Sequence, residues 1–326
     1  MLGSTYVLPI KWSPDLDRAE LAGYLERIAA WVEEVIVVDG SPEPEFVENA
    51  RTWGSFTKHV RPNAEFRFLN GKVAGVTTGV HAARHENVVI ADDDVRYDRS
   101  SLERVVALLE GAELVRPQNF FSRPMPWHAA LDTSRSLLNR AFGGDFPGTL
   151  GIRRSFFVTM GGYDGNVLFE NFELMRTVER HAGRVETPLD LYVCRLPPTT
   201  ERFFSQRVRQ AYDDFALPVR MGVWLATVPV VSGLLLARKV RWIAGLATAA
   251  VAVAETGRRK AGGSRVFPPV ASLLAPLWLA ERGVSSWLAV ASRLRGGVRY
   301  GEVRIQAAAN RTKVRRAAGL RFPRTP

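Results

Sequence analysis

The sequence predicts an α/β domain built on a mainly parallel sheet and followed by a helical, membrane-associated segment. Three observations lead there. Over roughly the first two hundred residues, short apolar runs alternate with amphipathic stretches, the pattern of strands covered by helices on both faces. Acidic residues stand where two of those runs end, at Asp39 and at Asp92-Asp93-Asp94. After Pro218 the composition shifts to long apolar runs bracketed by Lys and Arg. The expected division is an α/β domain over residues 1–218 and a basic helical segment over 219–326.

Taken in order, Tyr6–Ile10 reads as a first strand, Leu16–Trp31 as a helix, and Val35–Val38 as a second strand ending at Asp39. Asn87–Ala91 is a buried strand that runs straight into the three aspartates. Open α/β sheets bind ligands at the carboxyl ends of their strands, so two strands delivering Asp to that edge mark a candidate site. Further on come a strand over Glu113–Val115, a helix over Ala129–Phe142, a Gly-rich turn and a strand over Thr149–Ile152. A helix over Glu170–His181 and a strand over Leu189–Arg195 complete the domain.

The remaining third is different. Met221–Ala237 runs 17 residues without a charge, Trp242–Ala254 runs 13, and Phe267–Ala280 runs 14 with three prolines. A full membrane span takes about 20 apolar residues, so the first run is near sufficient and the others read as short, tilted or interfacial. The loop Arg238-Lys239-Val240-Arg241 between the first two runs is basic, which the positive-inside rule disfavours on the outer side. Either the pair lies in the plane of the cytosolic leaflet, or the basic residues from Arg258 onward outweigh the loop.

The charge balance sharpens this reading. The chain carries 44 Lys and Arg against 33 Asp and Glu, a net +11. Residues 219–326 hold 19 Lys and Arg against three Asp and Glu, a balance of +16, which leaves residues 1–218 at −5. Basic residues that bracket apolar runs suit an anionic membrane surface, and the expectation is no nucleic-acid partner. With Cys194 alone no intramolecular disulfide forms, and five scattered His exclude a Cys/His metal cluster. A reducing setting follows. Met1–Ile10 lacks a basic stretch followed by an apolar one of signal-peptide length, so the α/β domain is expected in the cytosol, at the face of the cytoplasmic membrane.

The candidate chemistry lies in the acidic turn. Directly after a strand, Asp92 and Asp94 turn toward one side, and two such carboxylates hold a hard cation such as Mg²⁺ or Mn²⁺, with waters and substrate phosphates completing the shell. The same triplet would equally serve as a solvated turn or a helix cap. Asp39, in Val-Val-Asp-Gly-Ser, suits hydrogen bonds from a nucleobase or ribose, or an Asx-turn into Gly40. Lys72 precedes a helix and suits phosphate charge, or a plain surface position.

In their order these residues resemble a known family. Leu-Pro-Ile, Val-Ile-Val-Val-Asp39-Gly-Ser, Gly71-Lys72 before a helix, Val-Ile-Ala-Asp92-Asp93-Asp94, Gly161-Gly162-Tyr163, Phe169-Glu170-Asn171-Phe-Glu173-Leu and Gln206-Arg207-Val208-Arg209-Gln210 together look like a family 2 glycosyltransferase of GT-A fold. Within that family the pattern is most similar to the membrane-associated branch of ceramide glucosyltransferase and the cellulose and hyaluronan synthases. The resemblance implies an inverting transfer of a sugar from a nucleoside-diphosphate sugar to an acceptor hydroxyl, with the membrane segment suggesting a lipid or lipid-linked glycan acceptor.

By position, the resemblance implies that Asp39 contacts the nucleotide base or ribose and that Lys72 and Asp93 lie near the nucleotide. Asp92 and Asp94 would form the D-x-D pair around the cation and diphosphate. Asn171 falls where the family has the Asp that deprotonates the acceptor, and an amide cannot accept a proton as a carboxylate does. Glu170 is the first substitute and Glu173, one helical turn on, the second. Both acids would also suit the N-terminal dipole of a helix. Gln206 and Arg209 share a helix face and would meet the diphosphate, while Gln210 replaces the family's Trp in the acceptor wall. Trp127 or Tyr212 would stand in for it. The same residues leave two other readings: a catalytically inactive membrane-anchored protein that binds nucleotide sugars, or a metal-dependent nucleotidyltransferase.

Overall fold

The computed structural model describes residues 1–301 and 303–310; the arginine-rich tail beyond residue 310 lies outside the described residues. The chain begins with β1 (Leu2–Ile10), α1 (Arg18–Ala29), β2 (Val32–Asp39), α2 (Glu43–Trp53), β3 (Lys58–Val60), α3 (Gly71–Ala82) and β4 (Asn87–Ala91). It continues with β5 (Val95–Arg96), α4 (Arg99–Leu108), β6 (Leu114–Val115), β7 (Gln118–Phe121), α5 (Trp127–Ala141), β8 (Thr149–Arg153), α6 (Arg154–Thr159), α7 (Glu170–Arg180) and β9 (Val185–Glu186). Then come β10 (Tyr192–Arg195), α8 (Thr200–Asp213), α9 (Pro218–Leu236), α10 (Val240–Arg259), α11 (Pro269–Leu273), α12 (Ala275–Leu294), β11 (Val298–Tyr300) and β12 (Val303–Ile305).

These elements divide into two units. Unit 1 comprises Met1–Arg116, Gly148–Glu186 and the described residues from Ala309; unit 2 comprises Pro117–Pro147 and Thr187–Ala308. The division does not fall at the expected residue 218. The reason is packing: α5 and α8, which precede that point, bury their apolar faces against the C-terminal helices. Leu137 of α5 clusters with Ala250 and Ala254 of α10, Ala271 and Ala275. Leu131 of α5 and Phe203 of α8 close on Trp278 of α12.

Unit 1 holds a seven-stranded sheet in the order β3-β2-β1-β4-β8-β6-β9. Every pairing is parallel except those of β8, which runs antiparallel to β4 and β6. The central strands are buried along both faces, which is why they read as continuous apolar runs. Because β1 pairs in parallel with both β2 and β4, the end of β2 at Asp39 and the end of β4 at Ala91 fall on the same edge of the sheet. The expected strand over Leu189–Arg195 is β10, but it pairs in parallel with β7 in unit 2.

One helix must lie unusually close to that sheet. A Cβ placed on Gly79 of α3 would come within 2.3 Å of Val7 Cγ1, and one on Gly75 within 2.8 Å of the Pro9 side chain. Two glycines one turn apart let α3 settle directly on β1, and this sets the position of its first turn, where Lys72 stands.

In unit 2 the run Met221–Ala237 lies mostly within α9, Trp242–Ala254 lies within α10, and Phe267–Ala280 is split by its prolines between α11 and α12. Among the described residues α9 is the one helix long and apolar enough to cross a membrane, and little of its apolar stretch is buried. Buried ion pairs tie the helical layer together: Arg207 of α8 lies 3.0 Å from Asp132 of α5, and Arg282 of α12 lies 3.5 Å from Asp214.

The close seat of α3 gives a test. Gly79→Ala adds about 1 kcal/mol of helix propensity but forces a methyl into Val7, and such overpacking costs about 1–3 kcal/mol. The expected result is a net loss of stability in denaturant unfolding, relieved in the double variant Gly79→Ala/Val7→Ala.

Candidate active site

The acidic turn is built where β4 ends. Ala91 is the last strand residue, paired with Thr149 of β8, and the amide of Asp92 then donates to the carbonyl of Gly148 at 2.8 Å. Val95 N–H returns to the Asp92 carbonyl at 3.1 Å, closing a tight turn around Asp93 and Asp94. Arg96 braces it from behind. Its guanidinium donates to the Asp93 carbonyl at 2.7 Å and to Glu20 of α1 at 2.9 Å, and lies 4.6 Å from the centre of the Tyr24 ring. Beneath, Tyr24 OH accepts from Tyr97 N–H at 3.0 Å, and Tyr97 OH lies 2.9 Å from Thr149 Oγ1, which itself donates to the Ile90 carbonyl.

The centre of the site is a cation held by two carboxylates. Lys72 Nζ lies 2.5 Å from Asp92 Oδ1 and 2.7 Å from Glu170 Oε1. All three side chains are mostly buried, with a quarter of Asp92 exposed and less of the others. Burial alone would lower the Lys72 pKa, but the two carboxylates outweigh it and hold the ammonium well above the ordinary lysine value. Three separate elements meet here: the tip of β4, the first turn of α3 and the first turn of α7.

Asn70 brings the last two together. As the N-cap of α3 its side-chain oxygen accepts from Lys72 N–H at 3.1 Å, while its amide group donates to the Val167 carbonyl at 3.3 Å. Its own N–H reaches the Gly165 carbonyl at 2.9 Å, and Leu69 N–H reaches Asn166 Oδ1 at 3.1 Å. The start of α3 is thus stitched to the segment that leads into Glu170. Sequence reasoning passed over Asn70, although an Asn directly before a Gly-Lys helix start is a capping signal.

Asp39, for which a base or ribose contact or an Asx-turn is expected, is enclosed at the end of β2. Its carboxylate is fully buried and accepts from Ser41 N–H at 2.8 Å, from Asn49 Nδ2 at 2.8 Å and from His59 Nε2 at 3.0 Å. Burial raises its pKa, and the bonds from His59, Asn49 and Ser41 outweigh that, leaving it below the usual aspartate value. The Asx-turn and the strand-end site are therefore one structure: Asp39 shapes the edge on which Gly40 and Ser41 lie. His59 stacks on Phe46 at 4.3 Å, and its Nδ1 is buried with no hydrogen-bond partner among the described residues.

The remaining candidates separate cleanly. Glu173 is fully buried, bound to Arg180 and to Asn310, whose N–H lies 2.8 Å from Oε2 and whose side chain also reaches Asp164. Both its oxygens are engaged, so Glu170 is the better placed of the two acids. Asn171 follows Glu170 in the first turn of α7. Among the described residues no three His, Cys, Asp or Glu side chains form a ready metal cluster. Asp92 and Asp94, the pair expected at a Mg²⁺ or Mn²⁺ ion, stand in one turn, and such an ion commonly takes one or two carboxylates and draws the rest of its shell from water and phosphate.

Gln206 and Arg209 lie on α8 in unit 2, where with Tyr300 and Arg304 they line a cleft of about 460 Å³. Gln210 accepts a hydrogen bond from Arg207. Trp127 is 57 % exposed, with its ring centre 6.1 Å from that of Phe204, whereas Tyr212 is buried and donates to the Gln306 carbonyl at 2.8 Å. His128 is packed, its Nε2 lying 2.8 Å from the Pro198 carbonyl.

Residues 18–169 match the family described as Glycosyl transferase family 2. No curated protein matches the chain. Among solved structures, the mannosyltransferase PcManGT from Pyrobaculum calidifontis in complex with GDP-Man and Mn²⁺ is 20 % identical, over 87 % of this chain and 86 % of that one, with a TM-score of 0.48. Glucosyl-3-phosphoglycerate synthase from Mycobacterium tuberculosis, in complex with Mn²⁺, UDP and phosphoglyceric acid, is 18 % identical over 64 % and 76 %, with a TM-score of 0.42.

The buried Asp39 gives an acid-side test. Its folded pKa lies below its unfolded value of about 3.9, so its stabilisation is complete above that pH and fades as pH falls toward the folded value. Asp39→Asn should lose about 1–3 kcal/mol in denaturant unfolding near pH ~7, with the gap to wild type narrowing below pH ~4. A gap that is constant with pH would show that the carboxylate charge is not what the site uses.

Proposed function

The chain is a glycosyltransferase carrying a family 2 domain over residues 18–169, and we propose that it moves a sugar from a nucleoside-diphosphate sugar to an acceptor hydroxyl with inversion at the anomeric carbon. The observation that carries this reading is the Lys72 ammonium bound between Asp92 and Glu170 at the carboxyl edge of the sheet. A site that already stabilises a cation between two carboxylates is prepared for the cation and phosphates of such a donor.

The mechanism follows from exchange of partners. A carboxylate bound to an ammonium is a poor proton acceptor, so Glu170 acts as base only once Lys72 has turned away. The donor's diphosphate draws Lys72 off Asp92 and Glu170 and takes its charge instead. Asp92 and Asp94 would hold Mg²⁺ or Mn²⁺, which would supply Lewis-acid neutralisation of the leaving diphosphate. Glu170 takes the proton from the acceptor hydroxyl as its oxygen bonds to the anomeric carbon, and the bond from that carbon to the diphosphate oxygen breaks. Asn171 beside it positions the acceptor, Asp93 and Lys72 serve the nucleotide, and Asp39 shapes the edge on which the nucleotide lies.

The acceptor is a lipid or a lipid-linked glycan, and the chain works at the cytosolic face of the cytoplasmic membrane. What supports this is α9: 19 mainly apolar residues of which only Met221 is buried, about 28 Å of helix against a hydrocarbon core of about 30 Å. Confinement to the bilayer raises encounters with such an acceptor. A second reading, a protein that binds the donor without turnover, is favoured by Asn171 and Gln210, the two departures from the family's motifs.

The deciding experiment is detergent-solubilised protein with a panel of nucleotide sugars and Mg²⁺ or Mn²⁺, with product nucleotides identified. Nucleoside diphosphate release supports transfer; pyrophosphate release would assign a nucleotidyltransferase, and donor binding without release would assign the binding protein. Glu170→Gln should lower kcat about 10²- to 10⁴-fold with little change in donor KM. Undiminished activity would remove Glu170 from the mechanism.

A further inference from the structure

The cleft beside α8 has a use the transfer reaction does not require. Within unit 2 it is lined by Arg209, Arg295, Arg299 and Arg304, and no carboxylate is among its described lining residues. Arg299 and Arg304 are direct cross-strand partners in the β11–β12 hairpin. Like charges placed opposite each other in an antiparallel pair are destabilising, and this arrangement is best relieved by an anion between or beside them. A guanidinium has five N–H donors, and the hairpin engages one of each in a carbonyl bond: Arg299 Nε to Gly301 at 3.2 Å and Arg304 Nη1 to Gly297 at 2.8 Å. Arg209 is laid over the Tyr300 ring, 5.3 Å from its centre.

The cleft's position within unit 2 indicates where the anion comes from. Arg295 immediately follows α12, whose side carries the exposed Leu277, Val284, Trp287 and Leu288 and ends at Leu294, 84 % exposed. Arg293, two residues earlier, lies 4.6 Å from the centre of the Phe215 ring, just before the first turn of α9. The arginines therefore sit at the end of the apolar helix layer, where a headgroup would lie if that layer met a bilayer.

We propose that this cleft binds the phosphate of an anionic phospholipid, with Arg299, Arg304 and Arg295 as its donors. The proposal rests on the membrane reading above for the source of the phosphate. The rival source of the same chemistry is a free diphosphate, such as the leaving group of the transfer itself.

The test uses the full chain in detergent, titrated calorimetrically with monomeric dihexanoyl-phosphatidylglycerol, dihexanoyl-phosphatidylcholine and inorganic diphosphate. Saturable binding of the phosphatidylglycerol is expected, weak binding of the zwitterion, and about a fivefold loss for each arginine removed in Arg299→Gln/Arg304→Gln. That variant should keep wild-type nucleoside diphosphate release from the donor, which also reports that it folds; Arg295→Gln is the second variant should the hairpin fail to form. Equal binding of both lipids, or binding unchanged in both variants, overturns the proposal. Diphosphate that binds more tightly than the lipid, with a matching loss of transfer in the variants, assigns the cleft to free phosphate instead. Failure of the wild-type chain to remain with phosphatidylcholine vesicles after detergent removal would sink the membrane reading separately.

Discussion

The site depends on one electrostatic arrangement, an ammonium shared by two carboxylates from different elements. Bringing Asp92 and Glu170 near each other without a cation would set two negative charges together in a partly buried place, which is costly. Lys72 removes that cost in the free protein. The same three groups then define what the site accepts: whatever displaces the ammonium must replace its positive charge on the Asp92 side and offer phosphate to it in return. On the proposed reading a donor with its divalent cation would do both, and a neutral sugar would do neither.

Much of this was legible in the sequence, because strand ends in a parallel sheet are marked by composition. The apolar run before Asp92 gave β4 to the residue, and the run before Asp39 placed the end of β2. What each acid does was less legible. Asp39 reads the same whether it faces solvent or is enclosed, and its partners Asn49 and His59 lie 10 and 20 residues away on elements whose contacts no local pattern reveals. Glu173 likewise looks like a spare base until Asn310, 137 residues distant, is seen holding it. The helices α2 and α4 escaped notice although they are about as long as α7, and the four-residue β7 did so because its partner β10 lies far along the chain.

Unit 2 shows a second limit of composition. Apolar runs after Pro218 suggested a segment separate from what precedes it, yet α5 and α8 share their core with those helices. Charged residues set inside the layer, such as Arg207 against Asp132, are expensive to bury singly and tolerable as pairs. They fix which helices face one another, which an apolar surface alone would leave loosely specified.

The glycine pair on α3 has a dynamic consequence. A helix seated so tightly on its strand cannot tilt or slide without collision, so the travel of Lys72 is confined to its four-carbon side chain. Rotamer hopping of that kind takes picoseconds to nanoseconds, against microseconds or longer for hinge and lid motions. On the proposed reading, entry of a donor would be gated by a swinging side chain on a stationary scaffold, with no slow rearrangement before the first bond to phosphate.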